Sequence, residues 1–384
     1  MITPPIVPGG SAPGGAVEAI DIQSLITADL DTLIDRAEPE FSALAGQVVW
    51  FTGAAGFLGY YLCKAIDRWN LLQPADRQIR LLAIDNFQRG VPAWLGELRS
   101  PGIEVVRHDV VEPVPAAWPA PAYIIHGASI ASPIYYRRYP IQTIDANVQG
   151  LRHMLDHAVS LGAALRGMLF FSTSEIYGDP PADQIPTRET FRGLVSSTGP
   201  RACYDESKRL GETLCVVFAE QHGVPVSIAR PFNNYGPGLK LQDGRVLPDF
   251  ARNALAGEDI VLLSDGSPTR TFCYITDALA GYLKVLVRGE RCEPYNIGLD
   301  TGEISMADLA HLVARQAREL WGYPGRVIQG QSAEAAYLTD NPNRRCPDIA
   351  KARAHLEFRP EVGVEEGLRQ TLVWYWYHRD GQEA

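Results

Sequence analysis

The stretch Val48–Gly59 constrains this chain more than any other. It opens with Val-Val-Trp-Phe-Thr, an apolar run of strand length. Glycines follow at Gly53, Gly56 and Gly59, and helical spacing begins at Tyr60–Trp69. Glycine permits a tight turn and close approach of the backbone to a pyrophosphate, and a helix N-terminus offers free N–H groups with partial positive charge. A strand, a turn spaced Gly-x-x-Gly-x-x-Gly and a helix together read as a dinucleotide-binding βαβ beginning.

From Gln47 onward the pattern alternates. Strands are predicted at Val48–Thr52, Arg80–Ile84, Glu104–His108, Tyr123–His126, Gly167–Ser172, Val226–Arg230 and Tyr295–Ile297, with helices near Tyr60–Trp69, Pro140–Leu161 and Tyr204–His222. Such alternation predicts an α/β fold, a Rossmann-type doubly wound parallel sheet with helices on both faces. After Pro237 the order becomes mixed, which predicts a smaller mixed α/β C-terminal lobe that holds the substrate. The expected division is a disordered tail over 1–20, rich in Pro and Gly, a helical extension over 21–46, a Rossmann domain over 47–236 whose sheet later segments help complete, and a lobe over 237–384. The extension carries Ile22, Leu25, Ile26, Leu30, Leu33 and Ile34 at helical spacing and is expected to act as a brace.

A length of 384 residues with 46% hydrophobic content supports a large core. The net charge of −10 argues against nucleic acid and anionic membrane as general partners. Among the six cysteines no pair is spaced Cys-x-x-Cys, so no metal site and no redox pair is expected. With no apolar run of about 18 residues and no secretion-signal pattern at the N-terminus, a cytoplasmic protein is expected.

The second predicted strand ends in Asp85. A carboxylate there can accept from ribose hydroxyls and would repel a 2′-phosphate, which favours NAD. The spacing from Gly59 exceeds the usual ~20 residues, and the insert Leu71–Arg77 accounts for the excess. Arg89 lies nearby and keeps NADP open as the alternative. Asp109, at another strand end, is placed to meet the adenine. Tyr204 and Lys208 are four apart and share a helix face. An ammonium near a phenol lowers the phenol's pKa, giving a base able to take a hydroxyl proton. About thirty residues upstream, Thr173 follows the apolar Phe170-Phe171 run and completes a Thr/Tyr/Lys set.

These segments resemble the extended short-chain dehydrogenase/reductase family of nucleotide-sugar enzymes, over about Gln47 to Tyr377. Within it they are most similar to UDP-glucuronate decarboxylases. The resemblance is carried by Asp85-Asn86-Phe87, His108-Asp109-Val110-Val111-Glu112-Pro113, Ser172-Thr173-Ser174-Glu175-Ile176-Tyr177-Gly178, Gly199-Pro200-Arg201-Ala202-Cys203-Tyr204-Asp205-Glu206-Ser207-Lys208 and Arg344-Arg345-Cys346-Pro347-Asp348-Ile349. It implies a bound NAD held by Gly53, Gly56, Phe57, Leu58, Gly59, Asp85, Asn86, Asp109 and Val110, with Tyr204 and Lys208. It implies catalysis by Thr173, Glu175, Tyr204, Lys208 and Arg345: oxidation at C4 of the sugar, loss of CO₂ from the resulting β-keto acid, and return of the hydride. It implies a nucleotide sugar, most often a UDP-sugar, contacted by Ser132, Asn233, Arg245, Arg270 and Arg345, with Arg245 and Arg270 at the diphosphate. It also implies a homodimer, for which the Leu210, Leu214, Val217 and Phe218 face is apolar enough, and support for the active-site lysine from Asn147.

Sugar 4,6-dehydratases of this type carry Asp-Glu where this chain has Ser174-Glu175, which disfavours that reaction. A 4-epimerase remains the alternative, followed by a protein that binds NAD without turnover. Departures from the decarboxylase pattern are Gly238-Leu239 in place of an Arg-Met-type pair and Cys346 in place of a basic residue. They imply two basic side chains missing near the substrate.

Overall fold

A strand that is apolar at every position has two faces to bury, so it belongs inside a sheet covered on both sides. The first strand, β1 (Val48–Thr52), is buried throughout, and so are β4 (Tyr123–His126) and β5 (Gly167–Phe171). In the computed structural model, which describes residues 16–330 and 342–379, these strands form one parallel sheet with β2 (Arg80–Asp85), β3 (Ile103–Arg107), β6 (Val226–Pro231) and the strand Pro294–Ile297. The order is Pro294–Ile297, β6, β5, β4, β1, β2, β3. From β1 the chain winds outward through β2 and β3, then returns to β4 on the other side. β1 therefore borders the reversal of winding, where ligands settle against strand C-termini in such folds. The register pairs Thr52 with Ile84 on one side and with His126 on the other, so the loops after β1, β2 and β4 share one rim.

Strand boundaries agree with the expected ones to within one residue. The first Rossmann helix, α3 (Phe57–Leu72), begins earlier than Tyr60 because Gly56 serves as its N-cap. The span Pro140–Leu161 is helical but carries a π-helical turn at Ala146–Gly150.

The extension forms α1 (Ile22–Arg36) and α2 (Glu38–Leu44), started by Asp21, whose side chain accepts from the Gln23 N–H. Ile26, Leu30, Leu33, Ile34, Phe41 and Leu44 join the same core as α3 and the helix Ile275–Arg288. Charges clamp it as well: Arg36 pairs with Asp277 and Glu361, and the buried Glu40 pairs with Arg288 and Lys284. The expected tail runs too far, since Ala16–Ala19 forms a 3₁₀ turn with Val17 fully buried. The rest of that tail, residues 1–15, lies outside the described residues.

Beyond Pro237 the short strand Thr269–Arg270 pairs with Arg344–Arg345 and with Ile304–Ser305, forming a small sheet of its own. Helix Met306–Trp321 continues from Ile304–Ser305 and packs against helices Val246–Leu255 and Val364–Tyr377.

Candidate active site

One cavity of about 1600 Å³ runs along the sheet rim and under the C-terminal segments. Every site residue named from the sequence lines it except Gly59. Gly59 acts in packing: a Cβ there would lie 1.8 Å from the Ala54 carbonyl oxygen, so only glycine lets α3 come this close to the turn. Gly53 has φ +78°, and a Cβ on it would meet Gly127 and Ala128 backbone at 2.8 Å.

At the expected ribose position, Asp85 accepts from the Ala55 N–H at 3.0 Å and the Phe87 N–H at 2.8 Å, one bond per carboxylate oxygen. Burial raises its pKa, against the pull of those two bonds. Each oxygen keeps further lone-pair capacity toward the cavity. Asn86 donates to Asp109 at 3.0 Å, so two residues expected at the adenosine end are fixed to one another. Phe57, Leu58 and Val110 complete this wall.

At the other end, β5 delivers Thr173 and helix Ala202–His222 delivers Tyr204 and Lys208. The Thr173 side chain hydrogen-bonds to the Tyr204 phenol and also caps the 3₁₀ turn Ser174–Tyr177 by accepting from the Glu175 N–H. Burial pushes Tyr204 up to about 12, with the Thr173 bond and the Arg245 charge opposing it. Lys208 donates to the Phe171 carbonyl at 2.7 Å and sits 5.9 Å from the Tyr204 ring centre, and burial pulls it down to about 7. The groups that oppose burial at Tyr204 are thus Thr173 and Arg245 rather than the expected Lys208. Asn147, in the π-helical turn, donates to Ser207 at 2.8 Å, one residue before Lys208.

Glu175 is the most heavily constrained group. Arg345 grips it with two hydrogen bonds, Nη1 to Oε1 at 2.6 Å and Nη2 to Oε2 at 2.5 Å, and Arg201 ion-pairs with Oε2. Burial favours its neutral form, but the Arg201 and Arg345 charges win and hold the carboxyl well below its usual range. Arg201 also faces Asp205 at 3.6 Å. Burial, then the nearby Glu175 charge, raises the Asp205 carboxyl. Sequence reasoning missed Arg201 as a site residue, although it lies inside the matched segment, three residues before Tyr204. It also missed Tyr136, which stacks on Tyr204 with ring centres 5.2 Å apart and planes at 9°, and which no motif marks.

The expected substrate contacts line the cavity with differing freedom. Arg245 pairs with Asp243 at 3.1 Å and acts electrostatically on Tyr204, which places it nearer the reacting end than the diphosphate role implies. Arg270 donates to the carbonyls of Thr269, Asn343 and Pro342, so it also braces the loop leading to Arg345. The Ser132 hydroxyl donates to the Asp243 carbonyl at 2.6 Å. Asn233 adopts φ +39° and donates to the Thr271 carbonyl at 2.9 Å. Burial and the like charges of Arg345 and Arg201 lower Arg270 from its ordinary value, the mark of a strongly cationic region suited to an anionic ligand.

The two departures from the expected pattern have different weights. Cys346 is buried with its sulfur toward the Asp300 carbonyl and does not line the cavity, so no basic group is missing there. Gly238 does line it, with φ +89°, and a Cβ would meet the Tyr60 ring at 2.7 Å.

The model of the NAD dependent epimerase/dehydratase family matches residues 49–298. UDP-glucuronic acid decarboxylase 6 of Arabidopsis thaliana is 38% identical over 321 residues, 83% of this chain and 85% of that protein. UDP-glucuronic acid decarboxylase 1 of Xenopus tropicalis is 37% identical over 334 residues, 85% of this chain and 72% of that protein. Among solved structures, UDP-glucose 4-epimerase from Thermotoga maritima aligns with TM-score 0.73 at 21% identity, over 87% of this chain and 100% of that one. A dTDP-glucose 4,6-dehydratase from Streptomyces venezuelae, solved with NAD bound, aligns with TM-score 0.70 at 24% identity, over 86% of this chain and 98% of that one. At such identities the structural likeness concerns the fold.

Proposed function

The chain belongs to the NAD dependent epimerase/dehydratase family, and on that premise we propose that it decarboxylates UDP-glucuronate to UDP-xylose through a 4-keto intermediate, with NAD recycled. The observation that carries this is Glu175, held by Arg345 and Arg201 beside Tyr204, with Ser174 preceding it instead of a second carboxylic acid.

The cradle fits NAD. Gly53 and Gly56 line the cavity with bare backbone, and the carboxylate of Asp85 suits ribose hydroxyls and opposes a 2′-phosphate. When bound, NAD⁺ accepts a hydride from C4 of the sugar and later returns it. Tyr204, once ionised, accepts the O4 proton, steered by Thr173, with Lys208 fixed behind it on the Phe171 carbonyl. Once C4 is a ketone, the C5–C6 bond breaks and its electron pair moves to the C4 oxygen as CO₂ leaves. The Tyr204 proton and the nearby Arg245 charge stabilise that oxygen. Arg345 and Arg201 hold Glu175 ionised, so the sugar carboxylate meets guanidinium charge without a competing proton donor. C5 then takes a proton. The proton comes from solvent water, and Glu175, held ionised by both arginines, serves the step as an acceptor that orients this water.

Support for a homodimer lies on the surface. Leu210 and Val217 on helix Ala202–His222 and Ile141 on the adjacent helix Pro140–Asp145 are exposed, by 46%, 37% and 64%. Phe218, expected on that face, instead belongs to the chain's own core. We place the protein in the cytoplasm on its cysteine usage.

A proton NMR time course with UDP-glucuronate and NAD⁺ tests the reading. UDP-xylose with CO₂ is the expected result. UDP-galacturonate would overturn it in favour of 4-epimerisation, and no turnover would overturn the sugar assignment.

A further inference from the structure

Glu175 and Arg345 arrive at the cavity on separate segments, joined there by their own ion pair and, just beyond it, by Asn343, which donates to Asp179 from its N–H at 3.0 Å and its Nδ2 at 3.3 Å. A buried amide outside the cavity joins them as well. Asn296, on the strand Pro294–Ile297, is fully buried and does not line the cavity. Its Oδ1 accepts from the Tyr177 hydroxyl at 2.7 Å. Its Nδ2 donates to the carbonyls of Thr187 at 2.9 Å and Asp348 at 3.0 Å. Tyr177 closes the same 3₁₀ turn that carries Glu175, and Asp348 lies three residues after Arg345.

We propose that Asn296 is a positioning residue that sets the Glu175–Arg345 pair by anchoring both segments on opposite ends of one amide. Both Nδ2–H groups are used, so the amide orientation is determined and the two anchors cannot exchange. The surroundings stiffen each end. Arg230 donates to the Tyr177 hydroxyl at 2.8 Å and forms a two-pronged pair with Glu212. Thr187 donates to the Cys346 carbonyl and accepts from the Asp348 N–H, both at 2.9 Å, which fastens the segment directly after Arg345. A small slip at Asn296 is carried to two side chains whose fork geometry tolerates little displacement. Tyr204 and Lys208 are carried by helix Ala202–His222, with Lys208 bonded to the Phe171 carbonyl and not to this amide.

The proposal rests on the decarboxylase reading, and the test separates the two. Tyr177→Phe removes one hydroxyl and cuts only the Glu175 side; Asn296→Ser cuts both. With UDP-glucuronate, absorbance near 340 nm reads oxidation at C4, and CO₂ release reads decarboxylation. Both variants are expected to lose about tenfold or more in kcat for CO₂ release, to accumulate the 340 nm signal, and to keep KM and the oxidation rate within about twofold. A proportional fall of both steps, or no change in either, overturns it. Should wild type release no CO₂, the decarboxylase reading fails on its own. The positioning claim is then decided by a crystal structure of Tyr177→Phe, in which an unaltered two-pronged Glu175–Arg345 pair would refute it and a displaced one would support it.

Discussion

Glu175 and Arg345 lie 170 positions apart in the chain and meet as a two-pronged ion pair with bonds of 2.6 and 2.5 Å. Planar guanidinium suits this geometry; a lysine offers a point charge on a flexible stem. Arg345→Lys therefore keeps the charge and loses the fork. CO₂ release is expected to fall by about 10²-fold, while oxidation at C4, followed at 340 nm, survives. Equal loss of both steps would show that Arg345 acts on binding alone.

Tyr204 is the one phenol bonded to Thr173 at the reacting end. Tyr204→Phe keeps the ring stacked against Tyr136 and removes the proton acceptor. Turnover is expected to fall about 10²–10⁴-fold, with the melting temperature nearly unchanged. A variant that still oxidises substrate at the wild-type rate would assign the proton to another group.

Gly238 and Tyr60 form a matched pair. A Cβ at 238 would clash with the ring, and φ +89° penalises any side chain there. Gly238→Ala is expected to destabilise by about 1–3 kcal/mol in urea titrations. Adding Tyr60→Ala should recover the steric share and leave the backbone share. Strict additivity of the two effects would argue that the ring does not press on Gly238.

Asp29 titrates in a window that can be read directly. Its Oδ2 accepts from Tyr61 at 2.6 Å and Tyr274 at 2.5 Å, yet burial outweighs these bonds and raises its pKa from 3.8 to about 6. The folded state thus binds this proton more tightly than the unfolded chain does. Stability is lost as pH rises from about 4 to about 6, amounting to about 3 kcal/mol at neutral pH. Asp29→Asn cannot ionise and keeps an acceptor oxygen, so it is expected to hold its melting temperature across that window and to exceed wild type above pH 6. Parallel curves for the two proteins would show that Asp29 does not titrate there.

The amino-acid order by itself determined the layered fold and most of the cavity lining. Apolar runs such as Val48–Thr52 demand burial on both faces, and the glycine turn, the Tyr204/Lys208 spacing and Asp85 are local patterns whose meaning survives without neighbours. Only the tertiary structure decided how these groups are engaged. It brought Arg345 to Glu175 across the whole chain, recruited Arg201 as a second cation, and buried Cys346 away from the cavity. It spent much of Arg270 and Ser132 on backbone carbonyls, and it set Thr173 and Arg245, rather than Lys208, against desolvation at Tyr204. Those outcomes depend on distances and burial between segments remote in sequence. A linear pattern carries the donors, acceptors and charges, while their mutual geometry and exclusion from water arise only when the sheet and the C-terminal segments close on one another.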